Sequence, residues 1–402
     1  MKGRKRERFK SILLVCLVFS SLLLSYLIIT YKPDYELFTR RTQQKVQEGD
    51  KNNLVGFLIP DVMVKTYPGM REEAIVPNSI TKISSVEAVK DKQTLKELLV
   101  ELSKGESTEV RVRNRNIEDI TTNNTSEKIS IIYQEVLDSS LVKTLFFSKE
   151  NSNVSLEFDT IVLLKDRPNM LYLYKKDDKN YLQVTLKEAV YDKINEKFNE
   201  TKKDYAKYSL NNKFIYLKEA DEEKVIDEYS AEEVNITRLA KDVFEKKDDV
   251  RVGADNEITD GYAILKSQNH RIVYTNPSNE GGKEVGTTVA INNTINFLEL
   301  GYASDTNYQL TTSLDGITIF QETHKESIVF SKEGHADIVS EDNSNGIYRL
   351  TSPKKLTKTY LSSKEVNLFE VEKTEYVINY LYNNTNLKNV TDIVLGYEKT
   401  YN

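Results

Sequence analysis

A chain of 402 residues with 56 Lys and Arg against 62 Asp and Glu carries a net charge of −6. At roughly 150 residues per domain it is long enough for two or three domains. The slight acidity argues against nucleic acid as the main partner, because phosphate binding needs a clustered positive field. One Cys, three His and no Trp exclude a disulfide scaffold, a His/Cys zinc cage and a thiolate-held iron–sulfur cluster, so no cofactor is expected.

The first ten residues hold six bases (Lys2, Arg4, Lys5, Arg6, Arg8, Lys10) and one acid, Glu7. From Ser11 to Tyr31 there are 21 residues without a charge, 13 of them Leu, Ile, Val or Phe. At about 1.5 Å per helical residue they reach roughly 31 Å, the thickness of a bilayer core. The expectation is a single membrane-spanning helix. Cations are denser before the span than after it, where Lys32, Arg40, Arg41 and Lys45 are spread out, which sets the N-terminus in the cytoplasm and the bulk outside. YLIITYKP (Tyr26 to Pro33) offers no small-x-small cleavage site, so the span is read as an uncleaved anchor. The basic arm also suits anionic lipid.

Removing that arm leaves 50 bases against 61 acids after Tyr31, a net charge of −11. Within this outer part the expected order begins with a turn-prone exit and a polar juxtamembrane helix, Tyr35 to Gln47. Strands follow in Val55 to Tyr67, broken at Pro60. Helical patterns lie at Lys92 to Ser103 and Lys128 to Leu137, and strand-like runs at Leu141 to Phe147, Val154 to Leu164 and Met170 to Lys175. The charged stretch Asp192 to Tyr208 reads as a linker helix.

Beyond it a helix followed by a meander occurs more than once. A helix at Ile236 to Glu245 precedes Glu257 to Ser267 and His270 to Tyr274, with a turn at Gln268 to Asn269. A helix at Lys283 to Leu300 precedes Gly316 to Glu322, Ser327 to Lys332, Ala336 to Ser340 and Gly346 to Leu350. A third helix, Glu370 to Tyr382, precedes Thr391 to Lys399. The fold class is α+β: one N-terminal transmembrane helix, then a multi-domain extracytoplasmic region of antiparallel sheets flanked by helices, with two C-terminal lobes similar to each other. The expected layout is a basic arm (1–10), a span (11–31), a juxtamembrane helix (32–50), an N-terminal extracytoplasmic domain (51–205), and central (206–305) and C-terminal (306–402) α+β domains.

Catalytic signatures are thin. His270, His324 and His335 have no Cys or second His at ligand spacing, and structural roles outweigh catalysis. No G-x-S-x-G elbow, P-loop or G-x-G-x-x-G is present. Gly281 and Gly282 in NEGGKEVG precede a helix; a turn is the more economical reading than an anion site. No catalytic, cofactor-binding or metal residue is assigned, and the chain is read as a non-enzyme.

The membrane segment is the better candidate. Ser21 and Ser25 lie four apart on one helical face, a small-xxx-small spacing that lets another helix approach closely, and Cys16 with Ser20 repeat it. The alternative is that these hydroxyls bond carbonyls of the preceding turn and the helix only anchors.

The basic arm, the span ending in YLIITYKPDYELF (Tyr26 to Phe38), IPDVMV (Ile59 to Val64), TDGYAILKSQNHRIVYTNP (Thr259 to Pro277) and VTDIVLGYEK (Val390 to Lys399) together resemble the YycH family of low-GC Gram-positive bacteria. The match is strongest at the membrane exit (Tyr31, Pro33, Asp34, Tyr35) and at Tyr274 to Pro277. The resemblance implies an accessory regulator of the WalK/WalR (YycG/YycF) two-component system that controls cell-wall metabolism. It implies a multi-domain ectodomain on one helix, and partners in a YycI-like protein and the WalK sensor histidine kinase in the membrane. The alternative is an anchored extracytoplasmic protein that binds or modifies the cell wall.

Overall fold

The computed structural model describes residues 57–69, 79–114, 117, 126–139, 156–175, 178–210, 213–218, 225–244, 250–253, 257–299, 308–325, 327–331, 336–365 and 396–399. All described residues belong to one compact unit, Glu48–Asn402. The expected span, juxtamembrane helix, Leu141 to Phe147 strand and Glu370 to Tyr382 helix lie outside the described residues. Among the described residues no helix is long and apolar enough to cross a membrane.

The first half builds a nine-stranded antiparallel sheet. Its elements are β1 (Val62–Thr66), β2 (Ile80–Val89), α1 (Lys92–Ser103), β3 (Ser107–Asn114), β4 (Lys128–Asp138), β5 (Glu157–Leu164), β6 (Arg167–Tyr174), β7 (Asn180–Leu186), α2 (Tyr191–Thr201), β8 (Lys203–Leu210) and β9 (Lys213–Leu217). The strand order is β3-β7-β6-β5-β4-β1-β2-β8-β9. Central β5 ends in a continuous buried run, as befits a strand covered on both faces. α1 starts where Asp91 accepts a hydrogen bond from the Thr94 amide at 2.8 Å. Leu95, Leu98, Leu99 and Leu102 recur at helical spacing and are all buried against the sheet.

Two readings of this half change. Lys128 to Leu137 is β4, not a helix: Ile129, Ile131 and Tyr133 alternate toward the core, and the strand pairs with both β1 and β5. Its three Ile favour a pleated surface, and period-two burial overrides the charged flanks that look helical. The charged run Asp192 to Tyr208 is most of α2 and β8. Ile194 and Phe198 are fully buried and β8 pairs with β2, so it is a working part of the first sheet.

The second half supplies β10 (Val225–Glu233), α3 (Ile236–Val243), β11 (Arg251–Val252), β12 (Ile258–Thr259), β13 (Ile264–Gln268), β14 (Arg271–Thr275), α4 (Thr287–Glu299), β15 (Tyr308–Leu314), β16 (Ile317–His324), β17 (Ser327–Phe330), β18 (Asp337–Asn343), β19 (Gly346–Pro353), β20 (Lys355–Glu365) and β21 (Gly396–Glu398). β10 and β20 form a two-stranded ribbon; the others, β11 to β19 and β21, form one ten-stranded sheet. The strands assigned to two similar C-terminal lobes therefore share a single sheet, joined where β14 pairs with β19 in register Tyr274 to Leu350. Edge pairing across the proposed boundary satisfies main-chain groups that two separate small sheets would leave open.

Turn chemistry sets the hairpins. Asn269 and His270 have φ of 49° and 60°, and Asp315 and Gly316 have φ of 52° and 77°, the left-handed pairs that fit the twist of two flanking strands. The first turn thus sits one residue later than the expected Gln268 to Asn269. The strand before Asp315, β15, was not expected at all. α4 begins at Thr287 instead of Lys283, after a short 3₁₀ turn at Pro277–Asn279.

Candidate functional site

None of the side chains put forward from the sequence as functional falls within the described residues. This applies to the seam (Cys16, Ser20, Ser21, Ser25), the exit motif (Tyr31, Pro33, Asp34, Tyr35) and the basic arm (Lys2, Arg4, Lys5, Arg6, Arg8, Lys10), as well as to His335. The Gly281 and Gly282 segment is a turn: Gly281 has φ of 75°, and a Cβ on Gly282 would lie 2.3 Å from the Asn343 side-chain oxygen. The Lys283 amide donates to Ser344 Oγ at 2.9 Å, which fastens this turn to the β18–β19 hairpin.

The most chemically dense part of the described structure is the seam where both sheets and the ribbon meet. The segment leading into β1 bridges them, since Leu58 and Ile59 are buried and the Phe57 ring stands edge-on to Phe320 at 5.6 Å. Leu58, Ile59, Tyr133, Leu137 and Leu310 line a cavity of about 10 Å³, room for a single water. The buried Tyr133 hydroxyl has no partner among the described residues, and burial raises its pKa well above the ordinary value. A site of this volume holds no organic ligand.

Beside it Lys92 opens α1 with its side chain 3% exposed. The ammonium donates to the Pro60 carbonyl at 3.4 Å and the Asp61 carbonyl at 3.2 Å, and sits 3.5 Å from Asp61 Oδ1. Burial pushes Lys92 down to about 8, against the pull of Asp61. For Asp61, burial acts upward, but Lys90, Lys92 and Lys213 outweigh it and hold the carboxyl below the usual range.

From Lys92 the contacts continue into the second sheet. Its backbone amide donates to the Lys325 carbonyl at 2.9 Å. The Lys325 ammonium and His324 Nε2 both lie 2.8 Å from Asp227 Oδ2, on the ribbon, and the Asp227 side chain is 4% exposed. The Tyr229 hydroxyl is 3.1 Å from His324 Nδ1. An imidazole held between a carboxylate and a phenol fixes the orientation of the β16–β17 turn on the ribbon. Together these groups form a polar clasp across three strand systems. Asp61, Lys92, Asp227 and Tyr229 carry no sequence signal, because partners such as Asp227 and His324 are separated by 97 positions. Among the described residues no three His, Cys, Asp or Glu are placed to hold a metal ion.

Residues 7–203 match the family model described as YycH protein, N-terminal domain. That stretch runs through the first sheet to the start of β8. The crystal structure of YycH from Bacillus subtilis superposes with a TM-score of 0.66 over 86% of this chain and 92% of that one. Sequence identity is 16%, so this likeness is one of fold. No curated protein sequence matches the chain.

Proposed function

We propose that this chain, which belongs to the YycH family, is a non-enzymatic, membrane-anchored regulator of the WalK (YycG) sensor histidine kinase and thereby of cell-wall metabolism. The observation that carries the reading is the YycH N-terminal domain over residues 7–203. In this reading residues 11–31 span the membrane, the first ten residues stay in the cytoplasm and the two sheets lie outside. In this reading influence passes through helix packing and ectodomain contact, in concert with a YycI-like protein. Binding one kinase conformation better than another by about 1–3 kcal/mol shifts the equilibrium roughly 5- to 150-fold.

The test is co-purification of the full chain in mild detergent from its native membrane, with and without residues 1–31. The reading expects a sensor histidine kinase and a second single-span protein to leave with the intact chain and to be depleted by the deletion. Recovery of neither overturns it. Release of soluble fragments on incubating the chain with peptidoglycan would instead make it a wall-modifying protein.

A further inference from the structure

β3 is an edge strand whose outer side is paired with nothing among the described residues. Its polar contacts run inward or along itself: Thr108 Oγ1 donates to the Thr185 carbonyl, Arg113 to Gln183 Oε1, and Arg111 pairs with Glu109 two residues before it. β3 also leaves Val112 at 42% exposure, an apolar side chain at an open edge. Open edges are normally blunted, because unpaired amides and carbonyls invite another strand.

We propose that β3 is the site of a reversible, two-fold symmetric pairing with a second copy of this chain. The charge pattern of the strand, S-T-E-V-R-V-R-N from Ser107, selects one register. An antiparallel pair about a two-fold axis normal to the sheet must be centred on a residue. A centre at Glu109 sets two acids opposite each other, and one at Arg111 sets two guanidinium groups opposite. A centre at Val112 faces Arg111 with the partner's Arg113 twice. Only a centre at Val110 sets each Glu109 against the partner's Arg111 and leaves no like charges opposed. Opposed side chains in such a ladder stand about 4.5–5.5 Å apart at Cβ, within reach of an ion pair. The same register lays Val112 over the partner's Thr108 and Arg113 beside the partner's Ser107.

A bulge with respect to β7 falls between Ser107 and Glu109, so the regular ladder covers Glu109 to Arg111 of each strand, with Val112 resting on the bulged Thr108. This small contact belongs to the weak, transient class of interfaces. It is self-complementary, as a two-fold interface requires. The pairing goes beyond the regulatory reading and does not depend on it.

The test is crosslinking of the full-length chain with a short bismaleimide after Val110→Cys or Val112→Cys substitution. The unsubstituted chain, with its one Cys at Cys16, gives the background. The pairing expects a covalent dimer several-fold more abundant from Val110→Cys than from Val112→Cys, since only position 110 faces itself. Arg111→Glu added to Val110→Cys should abolish the excess, and the reciprocal Glu109→Arg with Arg111→Glu should restore it. Equal crosslinking at both positions, none above background, or failure of the reciprocal pair to restore it overturns the proposal. Unchanged melting temperature in each variant separates loss of pairing from loss of fold.

Discussion

The Lys399 ammonium lies 2.6 Å from the Glu322 carboxylate, with side chains only 11% and 6% exposed. One belongs to β16 and the other follows β21, a three-residue strand that pairs in parallel with β17. The ion pair, together with the Lys399 amide donating to the Phe330 carbonyl at 2.7 Å, is what fastens so short a strand. Breaking a buried pair from one side leaves an uncompensated charge and costs about 3–5 kcal/mol. Lys399→Met is expected to lower stability by that order in urea denaturation, whereas Lys399→Met with Glu322→Leu should recover most of it. A double variant no better than the single one would show that the pair is not what holds β21.

Asp342 sets a pH dependence of stability. It is 7% exposed, and burial pushes its carboxyl up to about 6, although Ser340, Asn293 and Thr294 donate hydrogen bonds to it. The folded state therefore holds the proton at a pH where the unfolded chain, near 3.8, has released it. The stabilising contribution is complete below about 3.8, fades as pH rises to about 6 and is absent above. By linkage this amounts to on the order of 3 kcal/mol. Relative to the native chain, Asp342→Asn should gain stability between pH 4 and pH 7 by about that amount. Parallel stability curves for the two proteins across this window would contradict it.

The Asp315–Gly316 turn supplies a third prediction. Gly316 has φ of 77°, and a Cβ there would lie 2.3 Å from the Asp342 carbonyl oxygen, while the Asp342 amide donates to the Gly316 carbonyl at 2.7 Å. Gly261 has φ of 89° with open space around it. Left-handed backbone alone costs a non-glycine residue about 1–3 kcal/mol. Gly261→Ala should lose roughly that, and Gly316→Ala distinctly more, because main chain cannot move aside cheaply. Equal losses in thermal melts would mean the close approach is not a constraint.

The same turn shows what was legible in the sequence and what was not. Asp-Gly between apolar runs is a strong hairpin signal, yet β15 escaped notice because QLTTSL carries few large apolar groups and draws its burial from pairing with β16. α1 was readable from its Leu spacing alone, and β13 and β14 from alternation around Asn269. β4 misled, since KISIIYQEVL mixes charges with β-branched residues and only its two neighbours decide between helix and strand. Long-range assembly was not legible: nothing local announces that Thr275 pairs with Arg349, or that Lys325 and Lys92 meet. The polar clasp at the sheet junction depends entirely on such encounters. The family, by contrast, was visible in short sequence runs that carry no chemistry of their own.

If residues 11–31 form the membrane helix proposed above and that helix docks a partner, packing at Ser21 and Ser25 decides partner affinity. Changing Ser21 and Ser25 to Leu adds two bulky side chains to one face without reducing hydrophobicity, so insertion should persist while close helix approach is lost. The expected outcome is a several-fold fall in recovery of the kinase or single-span partner in detergent pull-downs and altered expression of its target genes. Unchanged recovery and unchanged expression would leave the helix a mere anchor.

Glu233 in β10 meets Lys355 in β20, a partner made 122 residues later. At roughly 5–20 residues per second on the ribosome, the first strand waits on the order of 6–25 s before its mate exists. Throughout that interval it is a bare template that any passing extended segment can capture. The ribbon's timetable therefore leaves newly made chains open to mispairing late in synthesis, while this strand still lacks its mate.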